Sequence, residues 1–257
     1  MRILLTGASG FIGKALTSEL LARGDTVYGL SRHPLVAAEN FVPLVGDIVQ
    51  LNLGLDKVPK GIKAVYHLAA DHRLGEDRDG SLWRTNVTGT QNVIQFCKDY
   101  HVPNLLFCST AYAIGEGRNA YEKSKILCEK MVDESGLRRV TIFKPSIVMG
   151  PPDSPYMGHV GQVVILLISV YRKLEPMWRK LETTLSLPVL LTPTFRIKGN
   201  PKGALNLIAV EDVVKGMASI RKAGVVWLTN PNPPTLGDVT AGISDAVRFT
   251  FKAVNGD

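Results

Sequence analysis

An α/β fold, a doubly wound parallel sheet with a small C-terminal lobe, is predicted by three features of this 257-residue chain. Short apolar runs alternate with amphipathic segments over residues 1–148. The runs are apolar throughout, so both faces of each strand must be covered. A glycine-bearing turn joins the first apolar run to the first amphipathic one. With 45% apolar residues the chain can build one full core and a small second lobe.

The elements follow in order. "RILLT" at residues 2–6 reads as a buried strand. Phe11, Ile12, Ala15, Leu16 and Leu20 then recur at helical spacing, and Gly24 marks the stop. "TVYGLS" is a second strand, "NFVPLVGD" contains a third and "KAVYHLAA" is a fourth. "SLWRTNVTGTQNVIQFCKDY" is a long helix and "NLLFCST" a fifth strand. "AYEKSKILCEKMVDES" is a helix and "RVTIFKPSIV" a sixth strand. After Val148, "MGPPDSPYMG" breaks the alternation. An apolar helix candidate at 160–171 follows, and the prolines of "LSLPVLLTPTF" exclude a central strand or helix there. A helix from Val210 and a strand at "VVWLTN" complete the pattern. The predicted division is 1–150, the main α/β domain, and 151–257, a reduced second lobe with parts returning to the main sheet.

The formal charge is +7, and residues 160–203 alone carry +5, from seven basic and two acidic side chains. Such a lobe attracts an anionic substrate or carrier. No nucleic-acid motif accompanies the charge, so nucleic acid is not expected. Cys97, Cys108 and Cys128 lack metal-ligand spacing and read as small buried hydrophobes, so no metal site is expected. The chain opens without a basic-then-apolar leader, and its longest apolar stretch is too short to span a bilayer. A soluble cytoplasmic protein is the expectation.

The glycines carry the first chemical inference. A strand–turn–helix unit aims the helix's first amides and its dipole at the turn, where they favour an anion. In "TGASGFIG" Gly7 permits the tight turn, Gly10 admits a pyrophosphate against the backbone, and Gly13 lets helix pack closely on strand. That context predicts dinucleotide binding rather than a purely structural turn. The end of the second strand selects the dinucleotide. A carboxylate there would bind the ribose 2′-hydroxyl of NAD, but this chain has Ser31 and then Arg32. Both can donate to a 2′-phosphate, so NADP(H) is the expected cofactor and NAD(H) the alternative.

Taken together, these residues resemble the extended short-chain dehydrogenase/reductases. The TGxxGxxG-like turn is joined by Asp47-Ile48, "HLAA" at 67–70, "NVTGT" at 86–90, "CSTAYAIG" at 108–115, "YEKSK" at 121–125 and "KPSIVMGP" at 144–151. The later run "FRIKGNPKGALNLIAVEDVV" with "LTNPNPPTLG" looks most like the thioester-reductase and fatty-acyl-reductase branch, with the general epimerase/dehydratase branch close behind. The resemblance implies a Rossmann-like fold. It adds Ser9, Phe11 and Ile12 to the cofactor turn and places Asp47 and Ile48 at the adenine. It sets Leu68, Ala69 and Ala70 under the adenosine ribose, and Pro145, Ser146 and Ile147 near the nicotinamide. It also implies a homodimer through helices 86–100 and 119–135.

Catalysis is assigned by the same resemblance to Thr110, Tyr121 and Lys125. Tyr121 and Lys125 are four apart, so a helix presents both on one face. An unperturbed tyrosine, with a pKa near ~10, is a poor acid–base group. The lysine ammonium and an oxidised nicotinamide would lower it, and ~2–3 units requires roughly 3–4 kcal/mol. Tyr121 then exchanges a proton with the reacting oxygen, Thr110 hydrogen-bonds that oxygen, and Lys125 holds the nicotinamide ribose. Ser109 is the neighbour easily mistaken for Thr110. Asn86 reads as a structural hydrogen-bonder and His67 as a packed core histidine. Lys144 replaces the usual arginine of its motif, which argues against a fixed ion pair there. Only ten residues separate Thr110 from Tyr121, a short connection that leaves the site more open.

The leading functional expectation is an NADP(H)-dependent reductase of a carbonyl on an anionic or pantetheine-linked acyl group. A nucleotide-sugar epimerase or dehydratase with tightly held NAD is the alternative enzyme. A dinucleotide-sensing regulator is the non-catalytic alternative, although it would have no need of Thr110, Tyr121 and Lys125 together.

Overall fold

The computed structural model describes residues 1–150, 169–170, 173–177, 179–180, 183–184, 194–220, 222–246 and 250–255. The chain divides into two compact units. Residues 1–146 and 210–229 form the first; residues 147–209 and 230–257 form the second. The apolar helix candidate at 160–171 and the proline-bearing segment at 185–195 fall almost wholly outside the described residues. Within the basic segment, Lys173, Arg179, Lys180, Arg196, Lys198 and Lys202 are exposed.

The first unit is built on β1 (Arg2–Thr6), β2 (Thr26–Ser31), β3 (Phe41–Val45), β4 (Ala64–His67), β5 (Asn104–Cys108), β6 (Arg139–Pro145) and β10 (Gly224–Leu228). They make a seven-stranded sheet in the order β10-β6-β5-β4-β1-β2-β3. Every pairing in it is parallel. The order reverses on the two sides of β1, so the chain winds outward in both directions from the β1/β4 boundary. Helices α1 (Phe11–Ala22), α2 (Ser81–Trp83), α3 (Gly89–Asp99), α4 (Ala120–Asp133) and α5 (Val210–Ser219) make the crossovers.

Apolar strands are buried on both sides, as their composition requires. Leu4, Leu30, Val65, Leu105, Phe107 and Ile142 pack with Val93, Phe96 and Cys97 of α3 and with Cys128 and Val132 of α4. Elsewhere in the sheet Tyr66 is fully buried, and its hydroxyl donates to the Met217 carbonyl of α5 at 3.0 Å. Cys97, Cys108 and Cys128 are free and buried.

Two predicted elements are subdivided. The long helix over 81–100 contains a π turn at Arg84–Thr88 between α2 and α3. The strand read through 139–148 breaks at Ser146: Ser146 N donates to Leu228 O of β10, while Ile147 N donates to Asn206 O. Its continuation β7 (Ile147–Met149) pairs with β9 (Leu207–Ala209) in the second unit. That unit also holds β8 (Thr194–Lys198), helix α6 (Leu236–Ala246) and β11 (Thr250–Val254), with β8 and β11 paired and Phe195 stacked on Phe251. The sequence reading anticipated none of these three; β8 alternates polar and apolar residues over Thr194–Lys198, but it is exposed along its length and follows a proline-bearing run.

Helix α1 packs on the turn before it with no room for a side chain at Gly13. A Cβ on Gly13 would lie 2.0 Å from the Gly7 carbonyl oxygen. Gly13→Ala is therefore expected to lower stability by ~1–3 kcal/mol or more, read as the urea midpoint. Gly242→Ala, inside α6 with nothing within 4 Å of the added carbon, is expected to hold or raise stability.

Candidate active site

Parallel strands end on one edge, and the predicted site residues are set along that edge. Gly7 follows β1, Arg32 follows β2, and Asp47 lies just past β3. Leu68, Ala69 and Ala70 follow β4, Thr110 follows β5, and Pro145 closes β6. Tyr121 and Lys125 come from α4, and Ile147 belongs to the second unit.

The turn after β1 is held close to the chain leaving β4. Gly7 has φ +74, and a Cβ on it would meet Ala69 N at 2.7 Å. Thr6 Oγ1 accepts from Ala69 N at 3.2 Å, tying the two loops together. Gly10 caps α1 in an extended conformation, with no side-chain cap and no acidic residue in the helix's first turn. Ser9 is exposed and Phe11 and Ile12 are half-buried. This is a glycine cradle at an uncapped helix N-terminus, chemistry suited to a pyrophosphate. Asp47 accepts from Val49 N at 3.1 Å, and Ile48 packs so closely on Gly89 that a Cβ there would lie 2.5 Å from its Cδ1. Ser146 Oγ is fully buried and has no hydrogen-bond partner among the described residues. These features fit a dinucleotide.

At the end of β2, Ser31 is buried and its hydroxyl donates to the His33 carbonyl. Arg32 beside it is exposed.

Helix α4 begins where its cap dictates. Asn119 Oδ1 accepts from Glu122 N at 2.9 Å, and the Glu122 carboxylate accepts from Arg118 N at 2.7 Å. The Arg118 guanidinium reaches the same carboxylate at 2.8 Å and holds its pKa below the ordinary range. Tyr121 therefore enters in the first turn, half-buried, and Lys125 follows one turn later, buried. Lys125 Nζ donates to the Cys108 carbonyl at 2.8 Å and lies 4.7 Å from the Phe107 ring centroid. Burial lowers its pKa, and Glu129 is among the groups that oppose that shift. The expected lowering of the Tyr121 pKa does not come from the chain itself. Burial pushes the phenol above its ordinary range, with Cys108 and Glu122 adding to the effect. Thr110 is buried beside the end of β5, its Oγ1 accepting from Tyr112 N at 3.3 Å.

The structure also corrects the reading of Lys144. Its Nζ makes an ion pair with Glu129 at 2.9 Å and donates to the Ala113 carbonyl at 2.7 Å. Ser109 Oγ donates to the same Glu129. Sequence reasoning passed over Glu129, although its position, four residues after Lys125 and eight after Tyr121, places it on the same helix face.

Asn86 and His67 are structural. Asn86 Oδ1 accepts from Asp71 N at 2.7 Å, and Nδ2 donates to Asp71 O at 2.8 Å and to Ser124 Oγ at 2.9 Å. His67 bridges Thr6 Oγ1 at 2.8 Å and Thr90 Oγ1 at 3.1 Å. Burial, with Lys125 adding, lowers its pKa from 6.5 to about 3.

Comparison with known proteins gives the family and the fold. Residues 3–225 match the NAD dependent epimerase/dehydratase family. A 2-alkyl-3-oxoalkanoate reductase of Shewanella oneidensis is 29% identical over 176 residues, 58% of this chain and 45% of the reductase. This chain spans about half the length of the curated relatives it matches first. Among solved structures, the terminal R domain of the myxalamid PKS-NRPS pathway superposes with a TM-score of 0.73 at 23% identity. The match covers 98% of this chain and 72% of that domain's chain. UDP-glucose 4-epimerase of Thermus thermophilus, in complex with NAD, superposes with a TM-score of 0.68 at 23% identity, covering 99% and 86%. At these identities the structures establish the shared fold.

The buried His67 gives the first unit a pH signature. It stays neutral in the folded protein down to about 3, whereas the unfolded chain takes up a proton below 6.5. Stability is therefore full above 6.5 and falls with acidification, by about 1.4 kcal/mol per pH unit. Urea denaturation between about pH 7.5 and 5 should show a loss of about 2 kcal/mol, and His67→Gln should flatten that slope.

Proposed function

Because the chain belongs to the NAD-dependent epimerase/dehydratase family, we propose that it is an NADP(H)-dependent oxidoreductase that reduces a carbonyl by hydride transfer. Helix α4 supports this reading most directly: it carries Tyr121 and anchors Lys125 on the Cys108 carbonyl, two residues before Thr110. When bound, the nicotinamide supplies the hydride. Thr110 hydrogen-bonds the carbonyl oxygen and Tyr121 gives it a proton as charge develops there. A phenol raised by burial is protonated at neutral pH, the form that a proton donor needs. Lys125 holds the nicotinamide ribose, and the oxidised nicotinamide formed by hydride transfer would supply the positive charge that favours the phenolate.

The turn of Gly7, Gly10 and Gly13, with Ser9, Phe11 and Ile12, takes the pyrophosphate. Asp47, Ile48 and Leu68–Ala70 line the adenosine half; Pro145, Ser146 and Ile147 line the nicotinamide half. Ser146 Oγ, buried without a partner among the described residues, is suited to a polar edge of that ring. Arg32 favours NADPH over NADH, because a guanidinium pairs with a 2′-phosphate. A reduction of an oxo group is in the name of the Shewanella relative, which supports carbonyl reduction. The substrate we infer is an acyl group on an anionic or pantetheine carrier, drawn by the exposed basic residues of 160–203.

Three measurements test the proposal. Calorimetric titration should give tighter NADPH than NADH binding. Arg32→Ala should remove about 1.5–3 kcal/mol of NADPH affinity, roughly 10–150-fold; equal wild-type affinities would overturn the cofactor assignment. Tyr121→Phe should bind NADPH normally and lose ~10²–10⁴-fold in turnover. With acetoacetyl-CoA and free aldehydes as probes, NADPH should be oxidised. UDP-glucose is incubated separately with NAD+ and its sugar product resolved by chromatography, because epimerisation consumes no net cofactor; conversion of UDP-glucose with no NADPH oxidation by the carbonyl probes would move the protein to epimerase chemistry.

A further inference from the structure

Helix α4 bears three functional side chains at intervals of four: Tyr121, Lys125 and Glu129. The first two are accounted for by the proposed reaction. Glu129 is not, yet it is the centre of a largely buried network. Its side chain is 18% exposed and that of Lys144 only 6%. Separating such charges from water is costly unless each finds several partners. Here each does. Glu129 accepts from Ser109 Oγ and from Lys144 Nζ. Lys144 also donates to the Ala113 carbonyl and lies 5.1 Å from the centroid of the Trp227 ring on β10.

The two loop contacts fall on either side of one residue. Ser109 precedes Thr110 and Ala113 follows it by three. Backbone pairing holds the near half of this segment, with Ser109 N on Phe143 O and Ala111 N on Pro145 O, both at 2.8 Å. Beyond Ala111 the segment has left β6. The Ala113 amide turns back to Thr110 O at 3.1 Å, and the Ala113 carbonyl points to Lys144.

We propose that the Glu129–Lys144 ion pair is a positioning device that fixes the Thr110 segment against α4, so that Thr110 and Tyr121 address the same substrate oxygen. The proposal rests on the catalytic reading of Thr110 and Tyr121 given above. Glu129 and Lys144 act through other residues and touch no reacting atom. The pair is suited to this task because one partner sits on the helix that carries Tyr121 and Lys125 and the other on the neighbouring strand β6. A shift of α4 along the sheet would break the ion pair and the Ser109 contact together. Productive alignment of reacting groups is sensitive to displacements on the order of 1 Å, so a clamp on this segment acts on turnover more than on binding.

Hydrogen exchange and kinetics together test the proposal in the full chain. In Glu129→Gln and in Lys144→Met, the amides of Tyr112 and Ala113 should exchange about tenfold faster or more, with those of Leu105–Phe107 unchanged. With acetoacetyl-CoA or 4-nitrobenzaldehyde as the probe carbonyl, kcat should fall ~10–100-fold while the NADPH Kd stays within about twofold. Lys144→Arg, which keeps the charge and the donors, should restore most of both readouts. If either single variant fails to fold, the double variant Glu129→Gln/Lys144→Met removes both charges and is measured in its place. Unchanged exchange at Tyr112 and Ala113 would overturn the clamp whether or not a probe is reduced. Absence of NADPH oxidation by the wild type with both probes would instead count against the reductase reading, leaving the exchange result to decide the clamp.

Discussion

Parallel pairing sends every strand of the seven-stranded sheet toward the same edge, and the arrangement of the first unit depends on that constraint. A parallel neighbour can be reached only by a crossover, so each strand is followed by a connection that returns the chain to the opposite edge. The loops that leave the strand ends are thereby gathered from distant parts of the sequence. Gly7, Arg32, Asp47, Leu68–Ala70, Thr110 and Pro145 share one edge for this reason alone. The order reversal between β1 and β4 then separates the loops at that boundary, and the Gly7 turn lies there against Ala69.

Helix α4 converts this edge into a chemically differentiated site. Its start is fixed by Asn119, Glu122 and Arg118, its middle by Lys125 on the Cys108 carbonyl, and its later turns by Glu129 with Ser109 and Lys144. These contacts satisfy polar groups that the packing of α4 on the sheet would otherwise strand away from water. The buried ammonium of Lys125 is tolerated because a carbonyl accepts from it and the Phe107 ring faces it. The same low-dielectric surroundings raise the Tyr121 phenol and keep His67 neutral. One physical cause, burial, thus acts in opposite electrostatic senses on neighbouring groups: it protonates an acid and deprotonates a base.

Much of the first unit was legible in the residues. The apolar runs at 2–6 and 26–31 coincide with β1 and β2, and the helix from Val210 is α5. Gly7 and Gly13 stand where a Cβ would collide with backbone, as the turn spacing implied. Other features were hidden because their cause is not periodic. The break at Ser146 arises from competition between β10 and β9 for the same chain, which no local pattern records. Strand β8 was hidden for another reason: its residues alternate polar and apolar, but Pro188 and Pro193 in the run leading into it argued against a strand there.

The sequence by itself determined the alternation of strands and helices, the glycine turn, the order of the motif residues and the shared face of Tyr121 and Lys125. Those are set by steric limits on glycine, by side-chain periodicity and by which residues tolerate burial, all of them local properties. Only the tertiary structure decided which polar groups are already satisfied. It committed the Ser31 hydroxyl to His33, gave Lys144 a buried partner in Glu129, left Ser146 Oγ without a partner among the described residues and set the direction of the Tyr121 shift. Hydrogen-bond satisfaction and desolvation depend on groups that are near in space and remote in sequence, and spacing along the chain does not encode them.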